Sequence, residues 1–273
     1  MAVSEHTAEL DSTPVFWREA PGDGAAPVLY VHGVPTSSDD WVPFLKRTGG
    51  LAPDLPGFGR SGKPGSRRYD MKEYADWIDS FLAQRGAERV RLVVHDWGVL
   101  GLVWAQLAPE RVERLVVMNA VPLLPGYRWH RIARVWRTRG AGELFMGATT
   151  RWGLKLLSRE ASATPGPMPR EFLDSTWSHF DQGTQRAILR LYRSAPPVEL
   201  ARAGARLGAL NCPALVLWGE RDPYIAPSFA AAYADALDGP VETDTVGGAG
   251  HWPWLDRPAV IDRVTEFLGA APR

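Results

Sequence analysis

The chain predicts an α/β fold, a mostly parallel sheet flanked by helices and interrupted by an inserted helical cap, and three observations predict it. Short apolar runs at residues 27–31, 90–94, 114–118 and 214–218 lack polar alternation, as strands buried on both faces do. Helical patterns with one apolar face lie between or after them. From about Val121 to about Leu207 the alternation stops, and the residues there read as mostly helical. The expected organisation is a core of residues 1–121 and 208–273 carrying a cap of residues 122–207.

Each element has its own reason. The run at 27–31 (Pro-Val-Leu-Tyr-Val) ends in the turn His32-Gly33-Val34-Pro35. Residues 71–85 place Tyr74, Trp77, Ile78, Phe81 and Leu82 on one face of a helix. The run at 90–94 feeds His95-Asp96-Trp97-Gly98, a strand, sharp turn and helix start. The cap contains Trp129, Trp136, Trp152 and Trp177, and its Arg128, Arg131, Arg134, Arg137 and Arg139 are expected to face solvent, because a charge run marks a wet helix face. The run at 214–218 opens after Cys212, expected as a small core residue, and residues 257–268 form a last amphipathic helix.

Composition narrows the function. The chain has 273 residues, 45% of them hydrophobic, enough for one large core with an insert. Lysine plus arginine equals aspartate plus glutamate at 31 each, so net charge points to neither nucleic acid nor an anionic membrane. A small neutral molecule is the expected partner. The single cysteine excludes an internal disulfide and suits a reducing cytoplasm. No stretch approaches the roughly 18 apolar residues of a spanning helix, and the N-terminal residues carry Glu5, His6 and Glu9 where a secretion signal would be apolar. The expectation is a cytoplasmic protein, monomeric or homodimeric.

The chemistry is concentrated in four short segments. His95-Asp96-Trp97-Gly98 puts a carboxylate at a strand-to-helix turn, the place where a nucleophile is held exposed and strained. Asp96 there could serve merely as a helix N-cap. A small residue is usual two places before such a nucleophile; here it is Val94, whereas Gly98 two places after is present. The turn after residues 27–31 offers the Val34 N–H as one oxyanion-hole donor, with the Trp97 N–H as the second. His32 reads as a buried scaffold residue, and the glycine-rich segment from Asp54 to Ser61 lacks phosphate-cradle spacing and reads as structural. Asp222, in Gly219-Glu220-Arg221-Asp222-Pro223, stands at the C-terminal end of a strand, where α/β folds place their sites. His251, in Gly250-His251-Trp252, follows in a glycine loop before the last helix. Acid nucleophile, second acid, histidine is the chain order of a triad.

Together His-Gly-X-Pro, His-Asp-Trp-Gly, Gly-Glu-Arg-Asp-Pro and Gly-His-Trp make the chain resemble the α/β-hydrolase superfamily, in its branch of epoxide hydrolases and haloalkane dehalogenases. The resemblance implies that Asp96 displaces a leaving group at an sp³ carbon and carries an alkyl ester, that His251 activates the water that hydrolyses it, and that Asp222 orients His251. It implies no cofactor and no metal. The substrate would be an apolar epoxide or haloalkane. For an epoxide, the leaving alkoxide needs a proton donor: Tyr192, in Leu189-Arg190-Leu191-Tyr192-Arg193, resembles the second cap tyrosine, and His130 falls nearest the first, with Tyr127 as fallback. For a haloalkane, Trp97 resembles the halide donor, but the turn carries Val34 where the family commonly has asparagine, leaving a cap tryptophan as second donor. Epoxide hydrolysis is therefore the first expectation and dehalogenation the alternative. A non-enzymatic small-molecule receptor on the same fold is the third.

Overall fold

The computed structural model describes residues 1–24 and 26–269. Two N-terminal strands, β1 (Ser4–Leu10) and β2 (Thr13–Ala20), pair antiparallel; β3 (Val28–Val31) follows, and a 3₁₀ turn at Ser38–Trp41 leads into α1 (Val42–Thr48). Next come β4 (Gly50–Pro53), α2 (Met71–Gln84), β5 (Val90–His95), a 3₁₀ turn at Asp96–Val99, α3 (Leu100–Ala105) and β6 (Val112–Met118). Six helices then run without a strand: α4 (Arg131–Arg137), α5 (Ala141–Ala148), α6 (Arg151–Ala161), α7 (Arg170–Ser178), α8 (Gln182–Ser194) and α9 (Pro197–Ala203). The chain closes with β7 (Ala214–Gly219), α10 (Ser228–Ala236), β8 (Val241–Val246), α11 (Pro253–Asp256) and α12 (Ala259–Gly269).

Among the described residues the sheet has eight strands in the order β1-β2-β4-β3-β5-β6-β7-β8, parallel from β4 onward. The four buried runs are β3, β5, β6 and β7, the centre of the sheet, where helices cover both faces. β1 escaped the sequence reading because its residues Ser-Glu-His-Thr-Ala-Glu-Leu are mostly polar and its face is open to solvent, as an edge strand allows. One apolar cluster joins β3, β5, α2, α3 and the cap through Tyr192 and Trp129. A second gathers Trp41, Phe44 and Trp254 against Val93, Leu215 and Phe267 on the opposite face.

Helix starts follow ordinary capping. Asp70 accepts from the Glu73 N–H at the start of α2, Asp181 from the Thr184 N–H at the start of α8, and Thr150 from the Gly153 N–H at the start of α6. The cap arginines divide. Arg128, Arg131, Arg134 and Arg139 are exposed, but Arg137 is half-buried: it donates to the backbone carbonyls of Tyr192 and Ala195 and lies over the Trp129 ring. Pairing with α8 carbonyls outweighs hydration for that one side chain. Cys212 is also only half-buried, because Pro213 delays β7 to Ala214; burial still pushes its thiol up to about 11. Among the described residues no helix is long and apolar enough to cross a membrane.

Candidate active site

Asp96 leaves β5 with φ 50°, the left-handed region that an L residue with a bulky side chain adopts only under constraint. The constraint is close packing on β3. A side chain on Gly98 would bring a Cβ within 2.0 Å of the Val31 carbonyl oxygen, so only glycine lets the elbow sit against the strand. Val94, larger than the residue usual at its place, is accommodated by Gly101, whose missing Cβ would lie 3.1 Å from Val94 Cγ1. The bulk has moved from one side of the contact to the other.

The elbow aims Asp96 at two partners. The Val34 N–H donates to Oδ1 at 2.8 Å, and His251 Nε2 stands 3.4 Å from Oδ2. His251 Nδ1 lies 2.8 Å from Asp222 Oδ2. Asp222 is itself tied down: Oδ1 accepts from the Tyr224 and Ile225 N–H groups at 2.8 and 3.1 Å, and Oδ2 accepts from Asn119 Nδ2 at 2.6 Å. Asn119, at the end of β6 with φ 40°, also accepts from the Gly219 N–H. The Asp96, Asp222 and His251 side chains are all buried.

Burial alone would lower the pKa of His251, but the Asp222 and Asp96 carboxylates outweigh it and raise it to about 10. Burial would raise Asp96 and Asp222, and in both the neighbouring imidazole dominates and holds the carboxyl below its usual range. The two carboxylates thus favour the charged form of the imidazole between them.

His32 occupies the scaffold position expected of it: Nδ1 bonds the Gly33 carbonyl at 2.7 Å and Nε2 accepts from the Leu55 N–H at 2.9 Å, which leaves neither nitrogen for substrate. The segment after Asp54 is likewise structural, because Asp54 accepts from the Ser38 and Arg60 N–H groups. His95 points away from the cavity, its Nε2 bonding the His251 carbonyl at 2.8 Å, and burial pushes it down to about 3.

A cavity of about 100 Å³ opens between Asp96, His251 and the cap, its wall mainly apolar. Tyr127, His130 and Tyr192 all lie on that wall. His130 caps α4, accepting from the Ala133 N–H through Nδ1 at 3.4 Å, so its proton resides on Nε2; burial drives its pKa down to about 4. The Tyr127 hydroxyl is buried with no hydrogen-bond partner among the described residues. Burial, reinforced by the Asp96 charge, pushes the pKa of Tyr127 and of Tyr192 well up, so both phenols are neutral donors. Trp97 lies one layer behind, stacked on Trp129 at 5.5 Å and edge-on to Tyr192 at 5.1 Å. The indole N–H of Trp136 is buried without a partner among the described residues, that of Trp97 is directed at the Tyr192 phenol, and Trp129 donates to the Ala195 carbonyl at 2.9 Å.

Two wall or support residues escaped the sequence reading. Tyr224 meets His251 edge-on at 5.1 Å and His130 at 4.8 Å; standing two residues past Asp222, it could have been found from that motif. Asn119, 103 residues before Asp222, gave no local signal.

The comparisons agree with this geometry at the level of the fold. The family described as "alpha/beta hydrolase fold" matches residues 26–258. A haloalkane dehalogenase of Mycolicibacterium paratuberculosis is 33% identical over 227 residues, which span 76% of this chain and 71% of the relative. The solved haloalkane dehalogenase DbeA from Bradyrhizobium elkani superposes with TM-score 0.81 at 26% identity, over 96% of each chain. The epoxide hydrolase CorEH superposes with TM-score 0.83 at 20% identity over 98% of this chain and 99% of its own, a likeness of fold alone.

Proposed function

The chain belongs to the alpha/beta hydrolase fold family, and we propose that it hydrolyses small apolar alkyl electrophiles through a covalent ester on Asp96, with haloalkanes as the leading substrate class. The observation that carries the proposal is the relay of Asp96 Oδ2, His251 and Asp222 at 3.4 and 2.8 Å beneath an apolar cavity, with a carboxylate where acyl-transfer members carry a hydroxyl. Oδ2 attacks the sp³ carbon, the carbon–halogen bond breaks, and halide departs. Ester formation removes the Asp96 charge. His251 then loses the smaller of the two carboxylate influences that raise its pKa, which makes it easier for its proton to pass to solvent and for the neutral imidazole to act as base toward water. Water attacks the ester carbonyl and gives its proton to His251; the oxyanion on Oδ1 is held by the Val34 N–H, with the Trp97 backbone N–H as the second donor the sequence suggested; collapse breaks the bond to the alkyl oxygen, His251 returns the proton to it, and the alcohol leaves with Asp96 restored as a carboxylate.

The leaving group decides the substrate class. A halide is a weak base that needs only donors, and the unpartnered indole N–H of Trp136 on the cavity wall is a donor and nothing else, with the Trp97 indole behind Tyr192 as a second donor if that phenol turns aside. The names of the relatives favour the same reading. This reverses the order expected from sequence, which put epoxides first because Val34 has no side-chain donor and because the Tyr192 segment and Gly250-His251-Trp252 resemble the epoxide hydrolases.

Epoxide opening is the second reading, favoured by Tyr192, Tyr127 and His130 on the wall shared with Asp96. Each carries a proton it could give to a developing alkoxide. A panel of haloalkanes and epoxides, assayed for halide and diol together, tests both readings. Halide release that disappears in Asp96→Ala supports the first reading, and diol without halide moves the assignment to the second. No product from any substrate, with no alkyl adduct on His251→Gln by intact mass, overturns the ester mechanism.

A further inference from the structure

Behind the oxyanion turn lies a buried carboxyl that the proposed mechanism leaves unused. Asp40 stands in the 3₁₀ turn at Ser38–Trp41 and is almost wholly buried. Its Oδ2 is 2.6 Å from Thr36 Oγ1, and Thr36 Oγ1 is 3.2 Å from the Gly33 carbonyl oxygen. That carbonyl belongs to the Gly33–Val34 peptide, the one whose N–H donates to Asp96 Oδ1 at 2.8 Å. Its oxygen also bonds His32 Nδ1 at 2.7 Å.

A hydroxyl has one proton and cannot donate in two directions at once. With Asp40 ionised, Thr36 donates to the carboxylate and the Gly33 carbonyl keeps only His32. With Asp40 neutral, the acid donates to Thr36 Oγ1 and frees the hydroxyl proton for the Gly33 carbonyl. A second donor on that oxygen polarises the peptide and strengthens its N–H as a donor. We infer that Asp40 is a positioning residue which, as a neutral acid, turns the Thr36 hydroxyl onto the Gly33 carbonyl and so sharpens the Val34 N–H toward the ester oxygen of Asp96. The inference rests on the Asp96 ester reading above.

The surroundings favour the neutral form of Asp40 below neutrality. Burial is the largest cause of its rise to about 7, opposed by the Thr36 bond and by the Trp252 indole from the loop after β8, and aided by the negative Asp39 and Asp96. Asp39 is turned toward Arg18, Arg60 and Ser175, so its balancing cations are engaged elsewhere. Of the nearby histidines, His251 is raised to about 10 and His95 lowered to about 3, and burial also pushes down His32, which bonds the same carbonyl; the Asp40→Asn and Thr36→Val variants separate its titration from that of Asp40.

The test uses the purified whole chain labelled with ¹⁵N and followed between pH 5.5 and 8.5. The Val34 amide resonance should shift with a midpoint near 7 in the native protein, and the shift should vanish in Asp40→Asn and in Thr36→Val. Thr36→Ser should restore it. In single-turnover kinetics, Thr36→Val should slow hydrolysis of the alkyl-enzyme about three- to tenfold, the size expected for losing one supporting hydrogen bond, with ester formation less affected. A Val34 resonance that does not titrate, or that titrates unchanged in Asp40→Asn or Thr36→Val, overturns the inference. Should Asp40→Asn fail to fold, the Thr36→Val and Thr36→Ser pair decides alone. Failure of the ester reading shows separately, as the absence of any alkyl adduct on His251→Gln.

Discussion

Replacing Asp222 by asparagine tests the triad most sharply, because the structure dictates what the amide would meet. Asp222 Oδ1 accepts from two backbone N–H groups, so the amide oxygen must stay there, and its NH₂ then takes the place of Oδ2. That NH₂ faces Asn119 Nδ2 at 2.6 Å and His251 Nδ1 at 2.8 Å, each a donor in the native protein. One contact must break, and His251 must turn over to the Nε2–H tautomer or swing away. An imidazole with its proton on Nε2 cannot take one from water on the Asp96 side. The equivalent loss in serine-triad enzymes is worth about 10⁴ in rate. Since Asp222 is also the largest cause raising His251, the imidazole pKa should fall markedly. The expected result is a burst of halide equal to the enzyme present, followed by turnover slowed roughly 10³- to 10⁴-fold and an alkyl-enzyme visible by mass. Stopped-flow halide detection with quenched mass spectrometry reads both phases. A steady-state rate within threefold of native, with no adduct, would refute the relay.

Other perturbations probe different links. Gly98→Ala forces a Cβ to within 2.0 Å of the Val31 carbonyl, so the elbow must part from β3; a loss of about 3 kcal/mol, or roughly 5–10 °C in melting temperature, is expected by calorimetry. Stability should also depend on pH through the triad. The raised His251 contributes fully below its unfolded value near 6.5 and is lost as pH climbs through about 10, whereas the depressed Asp96 and Asp222 contribute above the usual carboxylate range and are lost as pH falls through their folded values. Melting temperature should therefore form a plateau between mildly acidic and mildly alkaline pH and fall on both sides; a flat profile up to pH 11 would contradict the imidazolium. Trp136→Phe should weaken halide product inhibition and slow ester formation from haloalkanes, while Tyr192→Phe and His130→Ala should cut ester formation from epoxides about tenfold if epoxides are turned over. Equal effects on ester formation and hydrolysis would mark those side chains as packing residues.

The chain's own pattern determined the central sheet, the elbow, the interruption by helices, and the identity of Asp96, Asp222 and His251 as the residues to watch. Buried strands must be apolar throughout and an elbow must have glycine where backbones touch, so these requirements are written locally. The apolar period could not show the edge strand β1, because a strand exposed to solvent need not be apolar. Nor could it distinguish Arg137 from the other cap arginines, since what holds it is a pair of carbonyls at the C-terminal end of α8, from Tyr192 and Ala195, more than 50 residues away. Asn119, Asp40 and Thr36 belong to the same class: their hydrogen bonds reach groups whose positions are set by the fold. The tertiary structure also decided which cap tryptophan keeps a free N–H, because the Ala195 carbonyl claims Trp129 and leaves Trp136. Secondary structure and the elbow that carries Asp96 are read from neighbours in sequence, but a buried donor's availability depends on whether some distant acceptor reaches it, and only the folded chain brings the two within 3 Å.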